Sequence, residues 1–80
     1  MKRISVRFFA AFREAAGTET LTVQTASETA AELYVEMCRT LAGLEHEPNA
    51  LVAINDRMSR WNDRITDGDE VLLFPPVAGG

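Results

Sequence analysis

The chain has 80 residues, 46% of them hydrophobic and 25% charged, which is the composition of one small globular domain. Its formal net charge of −4 argues against a nucleic-acid partner, which would need a basic surface, and fits a partner with a basic docking surface. No uncharged apolar run is long enough to cross a bilayer, so we expect no membrane partner. The single cysteine, Cys38, cannot form an internal disulfide, which favours the cytoplasm, and a single histidine, His46, gives no basis for a metal site or a catalytic triad.

The first segment, Ile4–Phe8, alternates apolar and polar residues, and this period predicts a half-buried strand. Its apolar side chains face the core. Phe9 falls on the opposite, polar face, where a large aromatic residue is unexpected. Either it folds back into the core at the end of the strand, or it belongs to a binding patch.

A short helical turn and a second strand follow. Ala10–Ala16 has helical composition, and Gly17 is placed to end the turn with a positive φ. Thr20–Gln24 alternates again, with Leu21 and Val23 directed inward. An antiparallel pairing of the two strands is the simplest interpretation.

The main helix is predicted to begin at a capping box. Thr29 and Glu32 have the required spacing, and Thr25 with Glu28 offers the same pattern four residues earlier; we favour Thr29. An apolar stripe follows at helical spacing, and Gly43 is the expected end of the helix. Cys38 lies within the amphipathic stretch, so we expect a buried, unreactive thiol. The stripe consists of Ala30, Leu33, Met37 and Leu41.

The last third of the chain predicts three more strands. Leu51–Ile54 is typical of a short buried strand, and Arg57–Trp61 of a short return strand after a turn. Asp67–Asp69 is a tight turn around a glycine and is too short for a calcium loop. Glu70–Phe74 is the final strand.

This order predicts an α+β fold in which one main helix packs on one face of a mixed sheet. With a right-handed crossover, the final strand lies centrally and parallel to the first, which is the ubiquitin-like β-grasp arrangement. Residues 1–74 form the domain and residues 75–80 an extended tail. The uncovered face of the sheet carries Phe9, Phe74 and Met58, and an apolar patch there predicts a docking surface.

The tail is stiff at its beginning and thin at its end. Pro75 and Pro76 fix φ directly after a strand, and small residues follow. Such a tail could thread a narrow tunnel and present the α-carboxylate of Gly80 to a buried active site. A frayed end or a remnant of cloning would also show a Gly-Gly pair, but neither has a need for stiffness. The threading segment is Pro75, Pro76, Val77, Ala78 and Gly79.

The sequence resembles the small subunit of molybdopterin synthase, the MoaD-type sulfur carrier. Three stretches carry the resemblance, which covers nearly the whole chain, and the most specific one is the run from the Asp-Gly-Asp turn to the Gly-Gly end. These stretches are Val6–Ala10 with Arg13, Glu14 and Gly17; Val52–Asn55; and Thr66–Val71 continuing to Phe74–Gly80.

The resemblance implies a chemistry centred on Gly80. An E1-like adenylyltransferase uses ATP and magnesium to form an acyl-adenylate, and a sulfur donor protein converts it to a thiocarboxylate (1-thioglycine). The large subunit then takes the sulfur into the dithiolene of molybdopterin, in a heterotetramer of two small and two large subunits. No cofactor is bound stably by this chain, and the active site belongs to the large subunit. Among the remaining residues, Arg13 matches a family position, where it either pairs with a partner or caps local structure.

Three other interpretations stay open at this point. ThiS-type and Urm1-type sulfur carriers share the fold and the Gly-Gly end, and a ubiquitin-like modifier would join Gly80 to a lysine of a target. A plain binding module would use the sheet face and not the terminus. The Pro-Pro pair and the chain length favour the molybdopterin branch.

Overall fold

The computed structural model describes residues 1–76, and a five-stranded mixed sheet is its framework. The strands lie in the order β2-β1-β5-β3-β4, so the first and last strands are neighbours in the middle of the sheet. Their bounds are β1 Lys2–Phe8, β2 Thr20–Thr25, β3 Leu51–Ile54, β4 Arg57–Ser59 and β5 Glu70–Phe74.

The pairing of the strands confirms the predicted topology. β1 pairs antiparallel with β2 and parallel with β5, and β3 pairs antiparallel with both β5 and β4. The turn between β3 and β4 consists of Asn55 and Asp56, both with positive φ, which matches the right-handed twist of a tight hairpin. The arrangement is that of a β-grasp fold.

Two helices complete the fold, α1 at Ala11–Ala16 and α2 at Ala30–Thr40. Thr29 is the N-cap of α2, as predicted, and its hydroxyl accepts a hydrogen bond from the Glu32 N–H at 3.2 Å. The Glu32 carboxylate reaches back to the N–H of Glu28 at 2.8 Å. In the usual capping box the glutamate bonds to the N–H of the N-cap residue, whereas here it bonds to the N–H of the residue before it, Glu28. The amides of Glu28 and Glu32 are both hydrogen-bonded. None of the helices within residues 1–76 is long and apolar enough to cross a membrane.

The core lies between α2 and one face of the sheet. The alternation of β1 places Ile4, Val6 and Phe8 in it, all at most 1% exposed. Leu21 and Val23 of β2 pack against the same cluster while half-buried. The other buried members come from both helices, β3, β5 and the loops: Phe12, Ala30, Leu33, Tyr34, Met37, Leu44, Ala50, Val52, Ile65, Val71 and Leu73.

The end of α2 differs from the prediction. The helix stops at Thr40, and its C-cap is Leu41 in an extended conformation, whereas Gly43 lies in the following loop. Gly43 serves another purpose: a Cβ there would lie 2.6 Å from the carbonyl oxygen of Ala15. The glycine is needed for close approach to α1. Cys38 is half-buried, and burial raises the pKa of its thiol, in keeping with an unreactive side chain.

The segment after β4 also differs from the prediction. The return strand ends at Ser59, and Trp61 turns inward to stack on Tyr34, with ring centroids 4.9 Å apart. The Trp61 indole N–H donates to the carbonyl of Ala50 at 3.1 Å. Burial raises the pKa of the Tyr34 hydroxyl, which accepts a hydrogen bond from the Glu47 N–H at 2.9 Å. These contacts hold the long loop before β3 against the helix.

The predicted tight turn before β5 fastens three parts of the chain together. The Gly68 N–H donates to the carbonyl of Arg3 at 2.8 Å, and the Asp69 carboxylate accepts from the Thr66 N–H and the Asn55 amide at 2.8 and 2.9 Å. Partial burial of Asp69 opposes its ionisation, but these hydrogen bonds together outweigh that effect and hold its pKa below the ordinary value.

We predict that Gly43→Ala destabilises the fold, because the new methyl group meets backbone that cannot rotate away. The expected loss is about 1–3 kcal/mol in the free energy of unfolding. Urea titration followed by circular dichroism measures it. Ala42→Ser, at the exposed neighbouring position, is the control and should change stability by less than about 0.5 kcal/mol. Equal stability of the two variants would contradict the close approach.

Asp69 makes a pH-dependent contribution to stability. Because its pKa is lowered on folding, that contribution is present above the unfolded value of about 3.9 and is lost as the pH falls through the folded value. Asp69→Asn should therefore be less stable at neutral pH and lose less stability on acidification. Urea titrations at neutral pH and near pH 3 measure the difference. An acid slope for Asp69→Asn equal to that of the wild type would contradict this role of Asp69.

Candidate docking groove and C-terminal tail

Two aromatic rings meet where β1 and β5 end. Parallel strands finish at the same edge of a sheet, so Phe9, which follows β1, comes beside Phe74, the last residue of β5. The rings stack with centroids 4.5 Å apart and planes 16° from parallel. The Phe9 N–H donates to the carbonyl of Leu73 at 3.2 Å and extends the ladder by one bond. Phe9 is therefore part of a surface patch and does not fold back into the core.

The patch continues across the sheet on the face opposite α2. Leu51 of β3 pairs with Phe74, and Met58 of β4 pairs with Ala53, which in turn pairs with Leu72. Leu51 is 46% exposed and Met58 is 65% exposed, large fractions for apolar side chains in strands. Leu51 and Met58 thus present apolar side chains to the outside, whereas Ala53 and Leu72 on the same face are buried.

These side chains line an open groove of about 490 Å³, which we call the docking groove. Its walls come from the residue that follows β1, the end of β5, the start of α1, β3, β4 and the first residues of the tail. Every residue that lines it is apolar: Phe9, Ala10, Ala11, Leu51, Met58, Phe74, Pro75 and Pro76. An apolar concavity of this kind is suited to receive a side chain or a short segment of another protein.

The backbone at one rim of the docking groove is strained. Ala10, the N-cap of α1, has φ 51° and ψ −125°, a region that residues other than glycine rarely occupy. This conformation turns the chain sharply from β1 into α1. Ala10 itself lines the groove.

A charged side chain borders the groove next to the aromatic stack. The guanidinium carbon of Arg7 lies 5.3 Å from the centroid of the Phe9 ring, within the range of a cation–π contact. Phe9 is therefore in contact with both the Arg7 guanidinium and the Phe74 ring.

The structure brings together most of the predicted docking residues. Phe9, Phe74 and Met58 share the docking groove, and Pro75 and Pro76 form its wall at the start of the tail. Arg13 is exposed on α1 and does not line the groove; its carbonyl accepts the N–H of Gly17, which ends the helix with φ 78°. The remaining predicted tail residues lie outside the described part of the chain: Val77, Ala78, Gly79 and Gly80.

Leu51 lines the groove but is not among the docking residues that the sequence predicts. The sequence predicts that Leu51 belongs to a buried strand. In the structure Leu51 pairs with Phe74, lies on the outer face with Ala53, and is exposed. The alternation of side chains in Leu51–Ile54 carried no signal, since all four residues are apolar. Which face Leu51 occupies depends on the register of β3 against β5, and that register is defined only by the strand pairing.

The sheet order and the main helix on one face define a ubiquitin-like β-grasp protein. Residues 6–80 match the ThiS family, and the chain belongs to that family. It is 38% identical over 81 residues to the molybdopterin synthase sulfur carrier subunit of Escherichia coli strain K12, covering 96% of this chain and 99% of the relative. The predicted resemblance to such carriers is confirmed.

Solved structures show the same fold. The putative molybdopterin converting factor subunit 1 of Pyrococcus furiosus is 25% identical, has a TM-score of 0.83, and the match covers 96% of this chain and all of that one. A complex of subunits 1 and 2 of the molybdopterin-converting factor of Helicobacter pylori contains a chain that is 28% identical with a TM-score of 0.64; the match covers 98% of this chain and 99% of that one.

The Phe9–Phe74 stack should contribute to stability beyond the area it buries. We predict a coupling of about 0.5–1.5 kcal/mol in a double-mutant cycle of Phe9→Ala and Phe74→Ala, measured by urea unfolding. The control cycle combines Phe74→Ala with Val35→Ala, an exposed site on α2, and should be additive within about 0.5 kcal/mol. Additivity in the first cycle would mean that the rings do not support one another.

Proposed function

We propose that this chain is the sulfur carrier subunit of a molybdopterin synthase, and that it delivers sulfur as a thiocarboxylate on Gly80. The observation that carries the proposal is the continuity of the docking groove with the tail, because Pro75 and Pro76 are both groove wall and start of the tail. A partner seated in the groove is thereby placed where the tail leaves the domain. Membership of the ThiS family and the name of the Escherichia coli relative support the same function.

The chemistry rests on converting a poor acyl donor into a good one. At neutral pH a terminal carboxylate is ionised and resists nucleophilic attack. Adenylation by an E1-like enzyme with ATP and magnesium gives Gly80 an acyl-phosphate linkage and releases pyrophosphate. A persulfide sulfur of a donor protein then forms the C–S bond as AMP leaves, and a thiol cleaves the remaining S–S bond, being oxidised to a disulfide with the donor's sulfur, so that the thiocarboxylate is released. The resulting thiocarboxylate is the form that gives sulfur to the pterin precursor.

The docking groove explains why two successive enzymes can use the same small protein. The E1-like enzyme and the large subunit both need the tail in their active sites, so both must hold the domain near the point where the tail begins. The groove is the apolar surface available there within residues 1–76. The Helicobacter pylori neighbour is a complex of subunits 1 and 2. We propose the corresponding assembly for this chain, a heterotetramer of two small and two large subunits.

The rest of the tail has the shape that this chemistry requires. Val77, Ala78 and Gly79 are small enough to thread a narrow tunnel behind the proline pair. No general acid or base is needed on this chain, because the partners supply proton transfer. The half-buried thiol of Cys38, with its raised pKa, is compatible with a reducing cytoplasm, where we place the protein.

Intact mass after incubation with ATP, magnesium, the E1-like enzyme and a sulfur source tests the proposal. We expect a gain equal to the replacement of one oxygen by sulfur. Gly80→Ala should strongly reduce the gain, because the added methyl group obstructs the enzyme's tunnel, while thermal unfolding stays close to that of the wild type. The matched control is Ala42→Gly, a change of the same size at an exposed loop position, which should be charged normally.

Two results would contradict the proposal. One is the absence of any mass gain with an activating enzyme that charges its own carrier in the same assay. The other is a covalent ladder on target lysines in place of a thiocarboxylate, which would make the chain a protein modifier.

A further inference from the structure

Charge is distributed unevenly between the sheet and the rest of the domain. The chain has 12 acidic residues, but within the described strands only Glu70 is acidic. The other charged residues of the strands are all basic: Lys2, Arg3, Arg7 and Arg57. The excess of acidic over basic residues therefore lies in the helices, loops and turns, whereas the strands carry an excess of basic residues.

The outer face of the sheet, which contains the docking groove, has its own charge pattern. By strand alternation Arg3 and Arg7 of β1 and Glu70 of β5 point to this face. Glu70 lies beside Ser5 and is four residues from Phe74, about 13 Å at roughly 3.3 Å per residue. Glu70 is thus far from the groove, although it is a diagonal cross-strand neighbour of Arg7; within residues 1–76 no salt bridge joins the two. The charged side chain that contacts the groove-lining Phe9 is that of Arg7.

Arg7 is the cation at the groove. It pairs with Leu72 of β5 on one side and Thr20 of β2 on the other, and its guanidinium lies over Phe9. Arg7 forms no ion pair with any residue in the range 1–76, where the salt bridge present is Arg64–Glu28. The guanidinium is therefore held at the rim of the groove with its hydrogen-bonding groups available.

A partner that fills the docking groove must also cover or face this guanidinium. Removing a cation from water without a counter-charge is unfavourable, whereas a carboxylate in a well-formed pair offsets that cost and selects the partner. Resting on the proposed function, we propose that the large subunit presents an apolar side chain to the groove and a carboxylate to Arg7. Arg7 is then a specificity-determining residue of the interface.

A partner carboxylate opposite Arg7 is the reverse of what the net charge predicts, which is a basic docking surface on the partner. The charge of this face also disfavours a second copy of the chain as the occupant. In a two-fold symmetric pair the same patch lies on both sides. On this face of the sheet Arg3 and Arg7 outnumber Glu70, so the charges that face one another would on balance repel. The large subunit is a different protein, so symmetry does not require it to carry the same charges on its side of the interface.

The experiment measures the Kd of the whole chain for the large subunit of the same organism by titration calorimetry, at about 50 mM and about 300 mM salt. We expect Arg7→Glu to weaken binding about tenfold or more at low salt, and by clearly less at high salt. Arg7→Leu, which keeps apolar packing on Phe9, should weaken binding less than Arg7→Glu and flatten the salt dependence. Arg39→Glu is the matched charge reversal on α2, in the opposite layer, and should stay within about twofold of the wild type.

Met58→Asp reports on the groove itself, and thermal unfolding of each variant confirms that it is folded. If Met58→Asp abolishes binding while Arg7→Glu binds like the wild type, the groove docks the partner without a carboxylate; this inference is then overturned and the proposed function stands. An equal loss for Arg7→Leu and Arg7→Glu at both salts overturns it as well, because packing alone would explain the effect. If the folded wild type does not bind the large subunit, the proposed function fails and this inference fails with it.

Discussion

The parallel pairing of β1 with β5 is the contact on which the rest of the structure depends. It joins the two ends of the chain in the middle of the sheet and makes both strands finish at the same edge. Phe9 therefore meets Phe74, and the tail begins beside the patch that they form. An antiparallel pairing would have placed Phe9 near Glu70, at the far end of β5. The groove and the tail would then have been separated by the length of a strand.

The helix side and the open side of the sheet have different physical tasks. On the helix side α2 covers the core and the loops are fastened by Tyr34 and Trp61, which stabilises the fold. On the open side half-exposed apolar residues remain uncovered, at a cost in solubility that makes sense for a surface that binds partners. On the proposed function the chain presents its tail, and the enzymes that hold it supply the catalytic residues.

Much of this could be predicted from local signals. The alternation of β1, the capping residue Thr29, the turn at Asp67–Asp69 and the order of elements are sufficient for the β-grasp fold. The features that were missed depend on tertiary pairing. The exposure of Leu51 depends on register within an all-apolar strand, and the role of Gly43 depends on the approach of α1 to the loop after α2. The charge of the outer face could not be obtained from net charge, because the acidic residues cluster off the sheet.

The most direct test of a sulfur carrier is a single turnover with the isolated thiocarboxylate form. The charged chain is mixed with the large subunit and the pterin precursor, and the mass of the chain and the appearance of a dithiolene product are followed together. If the chain is a carrier, its mass returns to that of the carboxylate form as the dithiolene product appears. The amount of sulfur lost by the chain equals the amount gained by the product. A chain that binds the large subunit but keeps its sulfur, or that becomes attached to lysine side chains, would contradict the account.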